Sequence, residues 1–243
     1  MNLRLVSALS ALLLAPMASA AWSGKGEAGV VFASGNTDTE SGNANIEVSN
    51  EVGDWKHSAG FSALYASNDG VDTAKRWALF GGTERTFNPK TYGLAAFRYE
   101  DDEFSGFDSQ TSLSLGVGRR FIDDDQTKFN GTAGVGFKVT ESSDVRDATG
   151  ALLVAGEREN EAIFRGTLDF ERKLTDTTSL INAFIVEGAS SNTFAENDLS
   201  LKVKVNDRLA LALGFVVRHN TDPPLGFGST DKVTTVNLVY EIK

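Results

Sequence analysis

The sequence predicts an all-β fold: a transmembrane, up-and-down antiparallel β-barrel of about twelve strands. Three observations predict it. Apolar and polar residues alternate with a period of two along most of the chain, and successive side chains of a strand point to opposite faces. The alternating runs are long: Lys128–Val139 (KFNGTAGVGFKV) holds 12 residues, against ~5–6 in ordinary strands and about the 9–11 that a tilted strand needs to cross a bilayer. The connections alternate between short and long, as in barrels with tight turns at one end and loops at the other.

The elements follow in order. Met1–Ala20 stands apart, with Arg4 as a positive n-region, Leu5–Ala15 as an apolar h-region and Ala18-Ser19-Ala20 as a small-residue cleavage site. Residues 1–20 are therefore expected to be a secretory signal peptide cut before Ala21, leaving 21–243 as the barrel domain. The first strand covers about Gly24–Ser34, with Ala28, Val30 and Phe32 on one face; Gly42–Asn50 is the second, with Ala44, Ile46 and Val48 opposite Asn43, Asn45 and Glu47. Glu51–Asp54 turns tightly into Trp55–Ala66, and the turn-rich Ser67–Thr73 leads to a fourth strand at Lys75–Thr86. Phe87-Asn88-Pro89-Lys90 is a tight turn, and Thr91–Glu100 is a strand whose two parities do not separate.

After the loop Asp101–Gly106, Phe107–Phe121 alternates through Leu113, Leu115 and Val117, and Ile122–Gln126 turns into Lys128–Val139. Glu141–Gly156 is the longest loop, and Asn160–Leu174 sets Ala162, Phe164, Leu168 and Phe170 against Arg165, Asp169, Glu171 and Lys173. Thr178–Glu187 is apolar on both parities, so its faces stay open. Thr193–Val205 opposes Leu199, Leu201 and Val203 to Glu196, Asp198, Lys202 and Lys204; Arg208–His219 carries Leu209, Leu211, Leu213, Phe215 and Val217 on one face. The loop Thr221–Asp231 leads to a last strand with Val236, Leu238, Tyr240 and Ile242. An outward apolar face flanked by two aromatic belts is expected, with Trp55, Phe129, Phe170 and Tyr240 at the turn end and Phe32, Tyr65, Trp77, Phe107, Phe137 and Phe215 at the loop end.

Composition agrees. With Arg4 removed, 22 basic residues face 33 acidic ones, a net charge of −11, which argues against nucleic acid as a partner. There is no cysteine, hence neither a disulfide framework nor a thiolate metal site. Hydrophobic residues are 41% of the chain, an ordinary share, because a membrane barrel hides its lipid signal in alternation. A secreted sandwich or soluble barrel also alternates, but with shorter strands and an apolar interior.

The motifs also resemble a family. Trp22-Ser23-Gly24 leading into Glu27-Ala28-Gly29, the loop Ser34-Gly35-Asn36-Thr37, the segment Asp102-Glu103-Phe104-Ser105-Gly106-Phe107-Asp108, and the paired Gly116-Val117-Gly118 and Gly134-Val135-Gly136 resemble the salt-induced outer-membrane proteins, a family of undefined function. The resemblance implies an outer-membrane location and no catalytic residues. The end of the chain, Tyr240-Glu241-Ile242-Lys243, departs from the terminal aromatic residue common in such barrels.

Candidate chemistry is sparse. The Gly-Val-Gly pairs lack the strand–loop–helix setting of a phosphate cradle and read as lumen glycines that leave room and permit curvature. Asp101-Asp102-Glu103 and Asp123-Asp124-Asp125 do not match a spaced calcium loop and read as solvated turn charges. His57 with Ser58, or His219 with Thr221, would be needed for a barrel hydrolase, yet neither spacing forces a nucleophile–base hydrogen bond. No cofactor is expected, and the chain reads as a non-enzyme.

The informative set is the inward charges: Arg120, Lys128, Lys138, Arg165, Asp169, Glu171, Glu196, Asp198, Lys202, Lys204 and Arg218, with Glu196 within one diagonal step of Arg218. They admit two readings. One is an ion-pair ladder that fills the bore of a non-conducting envelope barrel; the other is a narrow polar pore for ions or small solutes, linked to envelope or salt stress. The expected partners are outer-membrane lipid and lipopolysaccharide, and the barrel-assembly machinery during insertion.

Overall fold

A computed structural model describes residues 21–33, 39–103, 105–147 and 149–242. The signal peptide expected over residues 1–20, the loop glycine–asparagine–threonine at 35–37, Phe104 and Lys243 lie outside the described residues. The strands are β1 (Ala21–Ala33), β2 (Thr39–Val52), β3 (Trp55–Asn68), β4 (Val71–Asn88), β5 (Thr91–Asp102), β6 (Phe107–Asp123) and β7 (Thr127–Ser142). Next come the short β8 (Val145–Arg146) and β9 (Leu152–Val154), then β10 (Arg158–Lys173), β11 (Thr178–Gly188), β12 (Thr193–Lys204), β13 (Leu209–Asn220) and β14 (Thr230–Ile242). Twelve of them close an antiparallel barrel in the order β1-β14-β13-β12-β11-β10-β7-β6-β5-β4-β3-β2, and β8 and β9 form a hairpin within the longest loop. Chain neighbours are barrel neighbours throughout, so the predicted up-and-down topology holds.

Polar side chains that bond their own backbone close the turn end. Asp124 accepts from the amides of Gln126 (2.9 Å) and Thr127 (2.6 Å), Asn206 from those of Arg208 and Leu209 (both 2.9 Å), and Thr175 from that of Thr178 (3.0 Å). Asp, Asn and Thr side chains favour turns for this reason. At the loop end the structure corrects one expectation. Ser67–Thr73 is not a long loop: β3 and β4 run on to a two-residue connection, with Asp69 at φ 50° and Gly70 at φ 75°. Two left-handed residues give the turn whose twist matches that of the strands, and Asp-Gly is its sequence signal.

The barrel is inside out. Among the described residues the buried apolar set is small, chiefly Ala78, Ile163, Ile185, Phe194, Ala210 and Val239, whereas Phe137 is 73% exposed, Val135 68% and Leu115 64%. The exposed side chains occupy the apolar parity of their strands, so the outer wall is a continuous hydrocarbon surface, far larger than a soluble monomer presents. Trp77 packs on Tyr99 near the loop end, and Phe129 packs on Phe121 and Phe170 near the turn end. Phe107 departs from the expected belt: it is buried, lining a cavity under the outer loops, because its segment bulges beside Asp108.

Lumen glycines act in two ways. A Cβ on Gly116 would stand 2.5 Å from the Ala133 carbonyl oxygen, and one on Gly134 2.4 Å from that of Leu115. These two are cross-strand partners in β6 and β7, and the obstruction is backbone, so here glycine permits sharp curvature. At Gly60 and Gly118 a Cβ would instead meet the rings of Phe80 and Tyr92, which occupy the lumen above them.

Candidate functional site: a charged plate across the lumen

The inward parity of β5 presents Arg98, Glu100 and Asp102, and that of β13 ends in Arg218. These two strands stand six places apart in a ring of twelve, on opposite walls. The guanidinium of Arg218 nevertheless reaches both acids of β5: Nη2 donates to Glu100 Oε1, and Nη1 donates to Asp102 Oδ2 at 2.8 Å. Its Nε lies 3.0 Å from Glu196 Oε2 without a well-aimed hydrogen bond. Glu196 is the direct cross-strand partner of Arg218 rather than a diagonal one, and also faces Arg98 at 3.8 Å. Arg98 donates to Glu100 as well.

A second knot completes the layer. Glu187 on β11 lies 3.4 Å from Lys138 on β7 and 3.4 Å from Arg165 on β10, and accepts from Ser112 of β6 at 3.1 Å. Phe194 joins the two knots, with the Lys138 ammonium 5.3 Å and the Arg218 guanidinium 5.1 Å from its ring. Glu100 and Glu187 are each only 3% exposed, and Arg218 5%. Charges so deep persist only when paired and hydrogen-bonded. The space left among Arg98, Glu100, Ser112, Lys138, Glu187, Phe194 and Arg218 is about 10 Å³, at the lower limit for a single water. Between these side chains there is no room for a solute.

Of the predicted lumen residues, this layer gathers Lys138, Arg165, Glu196 and Arg218. The rest stand nearer the turn end. Arg120 stacks over Tyr92 at 4.8 Å; Lys202 donates to Glu241 at 2.8 Å; Lys128 and Glu171 are cross-strand partners; and Lys204 is exposed at the rim. Asp169 and Asp198 share the inward parity yet are exposed, so water reaches a polar chamber below the plate. The plate also contains Arg98, Glu100 and Glu187, which sequence reasoning missed and which sit on the two strands whose faces the pattern left open. It contains Asp102 as well, expected as a solvated charge of the loop Asp101–Gly106; the structure corrects that, because β5 runs on to Asp102 and buries it. The signal was Arg98-x-Glu100-x-Asp102, three charges on one parity of β5.

The other candidates are placed differently. Asp102 pairs with Arg218 and Glu103 with Lys75 at 2.6 Å, while Asp124 caps its turn, and among the described residues no cluster of His, Cys, Asp or Glu converges as a metal site. His57 stacks on Trp55, whereas Ser58 takes the opposite parity of β3. His219 meets Thr230 at 2.9 Å, while Thr221 bonds Asn192.

Among known proteins, the chain is 23% identical over 221 residues to "Uncharacterized protein YdiY" of Escherichia coli (strain K12), covering 88% of this chain and 81% of that one. Its fold is similar to the translocator domain of autotransporter NalP from Neisseria meningitidis (TM-score 0.53, 12% identity, 98% of this chain and 94% of that one). It is similar also to the NanC porin (TM-score 0.50, 8% identity, 92% and 100%). The family described as "Protein of unknown function, DUF481" matches residues 26–242, and the chain belongs to that family.

Proposed function

We propose that this protein is an integral barrel of the bacterial outer membrane whose lumen is held shut in the ground state by the charged plate. The observation that carries this reading is the Arg218 guanidinium bonded to Glu100 and Asp102 on the opposite wall. The hydrocarbon outer wall supports the membrane setting, since only helices and closed barrels satisfy their backbone there. Short turns and both chain ends then face the periplasm, after secretion by a cleaved signal peptide and insertion by the assembly machinery. Outer-membrane lipid and lipopolysaccharide are the partners of the outer wall.

Planar-bilayer recording tests the closure. Wild-type protein is expected to give no steady conductance steps at low voltage in any salt, whereas Arg218→Ala combined with Phe194→Ala gives steps. Stable steps from the wild-type protein at low voltage contradict closure. A second reading, passive passage of ions or small solutes, draws on the wet chamber around Asp169 and Asp198. On that reading the plate is the gate, and a salt-stress role would act through it.

A further inference from the structure

The barrel closes unevenly. β1 pairs with β2 along its whole length, from Ala21↔Glu51 to Ala33↔Thr39, and β14 pairs with β13 from Leu209↔Tyr240 to His219↔Thr230. Between β1 and β14 the ladder covers only Gly24↔Ile242 to Ala28↔Leu238. Among the described residues, the β14 edge from Asn237 to Thr230, toward the loop end, therefore has no strand ladder on its β1 side. Where the ladder stops, Asn43 on β2 reaches past β1 and donates to Asn237 on β14 at 2.9 Å, through the space left by Gly29, where a Cβ would stand 2.3 Å from Asn237.

Beyond that staple the seam holds a cleft of about 290 Å³ whose lining comes from both faces of the wall. Val30 and Val236 belong to the outer face and are 68% and 60% exposed; Leu64, Ala66 and Val233 belong to the lumen parity. An unladdered edge inside a bilayer is costly unless something occupies or wets it. The adjoining cavity, about 170 Å³, shares Leu64, Ala74, Lys232 and Val233 with the cleft and reaches inward to Arg76 and Arg218 and to the acids Asp102 and Asp231. Arg76 lies beside the plate but forms no ion pair with a carboxylate among the described residues. An apolar slot open to hydrocarbon thus leads to a guanidinium that lies in the field of Glu100, Glu196 and Asp102 but closes no ion pair with them, and Lys232 is also on the lining.

We propose that the β1–β14 seam binds a single-chain anionic amphiphile, a free fatty acid, with its carboxylate on Arg76 and its chain leaving through the cleft into the bilayer. Guanidinium and carboxylate match in charge and in planar geometry. One chain also suits the slot, since small-molecule sites begin at roughly 300 Å³. The inference rests on the bilayer setting proposed above but not on closure of the plate.

The test places a tryptophan inside the seam. In a background with Trp22, Trp55 and Trp77 changed to Phe, Leu64→Trp is reconstituted into vesicles. Quenching is then read with brominated oleate, or with brominated phosphatidylcholine and no fatty acid. Phe80→Trp serves as a lumen control and Leu115→Trp as a lipid-facing control. Brominated oleate is expected to quench Leu64→Trp saturably and Phe80→Trp little, and Arg76→Gln should weaken that binding about tenfold or more, as expected for a lost charge-assisted bond. No quenching beyond the Phe80→Trp level, quenching indifferent to Arg76→Gln, or quenching by phosphatidylcholine alone would each overturn the proposal. Leu115→Trp reports the bilayer setting separately, because failure of brominated phosphatidylcholine to quench it would overturn that setting instead. Folding is checked by heat-modifiable gel mobility, and Ala66→Trp is read if Leu64→Trp does not insert.

Discussion

Removing the guanidinium of Arg218 should cost this barrel a large part of its stability. In Arg218→Ala, Glu100 keeps Arg98 and Glu196 keeps it at 3.8 Å, but Asp102 loses the buried guanidinium that donates to it and Glu196 loses its nearer cation. Breaking a buried pair by deleting one partner costs about 3–5 kcal/mol, because the remaining charge stays desolvated. The pair Arg158–Glu141, with side chains 64% and 45% exposed, is the internal control, and such pairs contribute only about 0–1 kcal/mol. The assay is urea unfolding of the protein in lipid vesicles, followed by tryptophan fluorescence. With a urea slope of roughly 2–3 kcal/mol/M, the midpoint should fall by about 1–2 M for Arg218→Ala and by far less for Arg158→Ala. The neutral set Arg218→Met, Glu100→Gln and Asp102→Asn should recover most of the loss, since no bare charge remains. A shift for Arg218→Ala no larger than that for Arg158→Ala refutes the plate as a buried, coupled unit.

Three further outcomes follow from the structure. Gly134→Ala should destabilise by about 1–3 kcal/mol, because its Cβ would meet the Leu115 carbonyl, whereas Gly26→Ala, with nothing within 4 Å, should stay within about 0.5 kcal/mol; the same urea midpoints read both. Leu115→Arg puts a charge on the outer wall and should cost about 2–4 kcal/mol if the residue sits at mid-bilayer depth, visible as reduced vesicle insertion. In the outer loop, Asp147 accepts from the Thr149 hydroxyl (2.6 Å) and from the amides of Thr149 and Ala151, and these bonds hold its carboxyl below the usual carboxylate range. A lowered value means that the turn gains support at neutral pH and loses it as pH falls through that value. Proteolysis of the 143–157 loop should therefore rise in acid for the wild type, and Asp147→Asn should abolish that pH dependence.

Much of the architecture was legible because the periods were clean. Phe129, Val135 and Phe137 on one parity of β7, against Asn130, Thr132 and Lys138 on the other, fixed both the strand and its outward face. The site was legible only on strands of that kind: Lys138, Arg165, Glu196 and Arg218 stood out on polar parities. Glu100 and Glu187 did not, because their strands mix Leu94, Ala96, Ile181 and Ile185 into the lumen side. Apolar residues inside a filled lumen pack against one another, so they break the alternation that marks a face. The staggered closure at β1 and β14 left no mark in the sequence either, since the register between the chain's two ends is a property of the closed ring.

The central claim, an apolar exterior around a lumen shut at one end, is tested most directly on β10 in this cysteine-free chain. Asp169→Cys and Leu168→Cys are placed in oriented vesicles and exposed to a membrane-impermeant thiol reagent from each side in turn. Asp169→Cys is predicted to react from the turn side alone, and Leu168→Cys from neither. Equal reaction of Asp169→Cys from both sides, or reaction of Leu168→Cys from either, contradicts the claim.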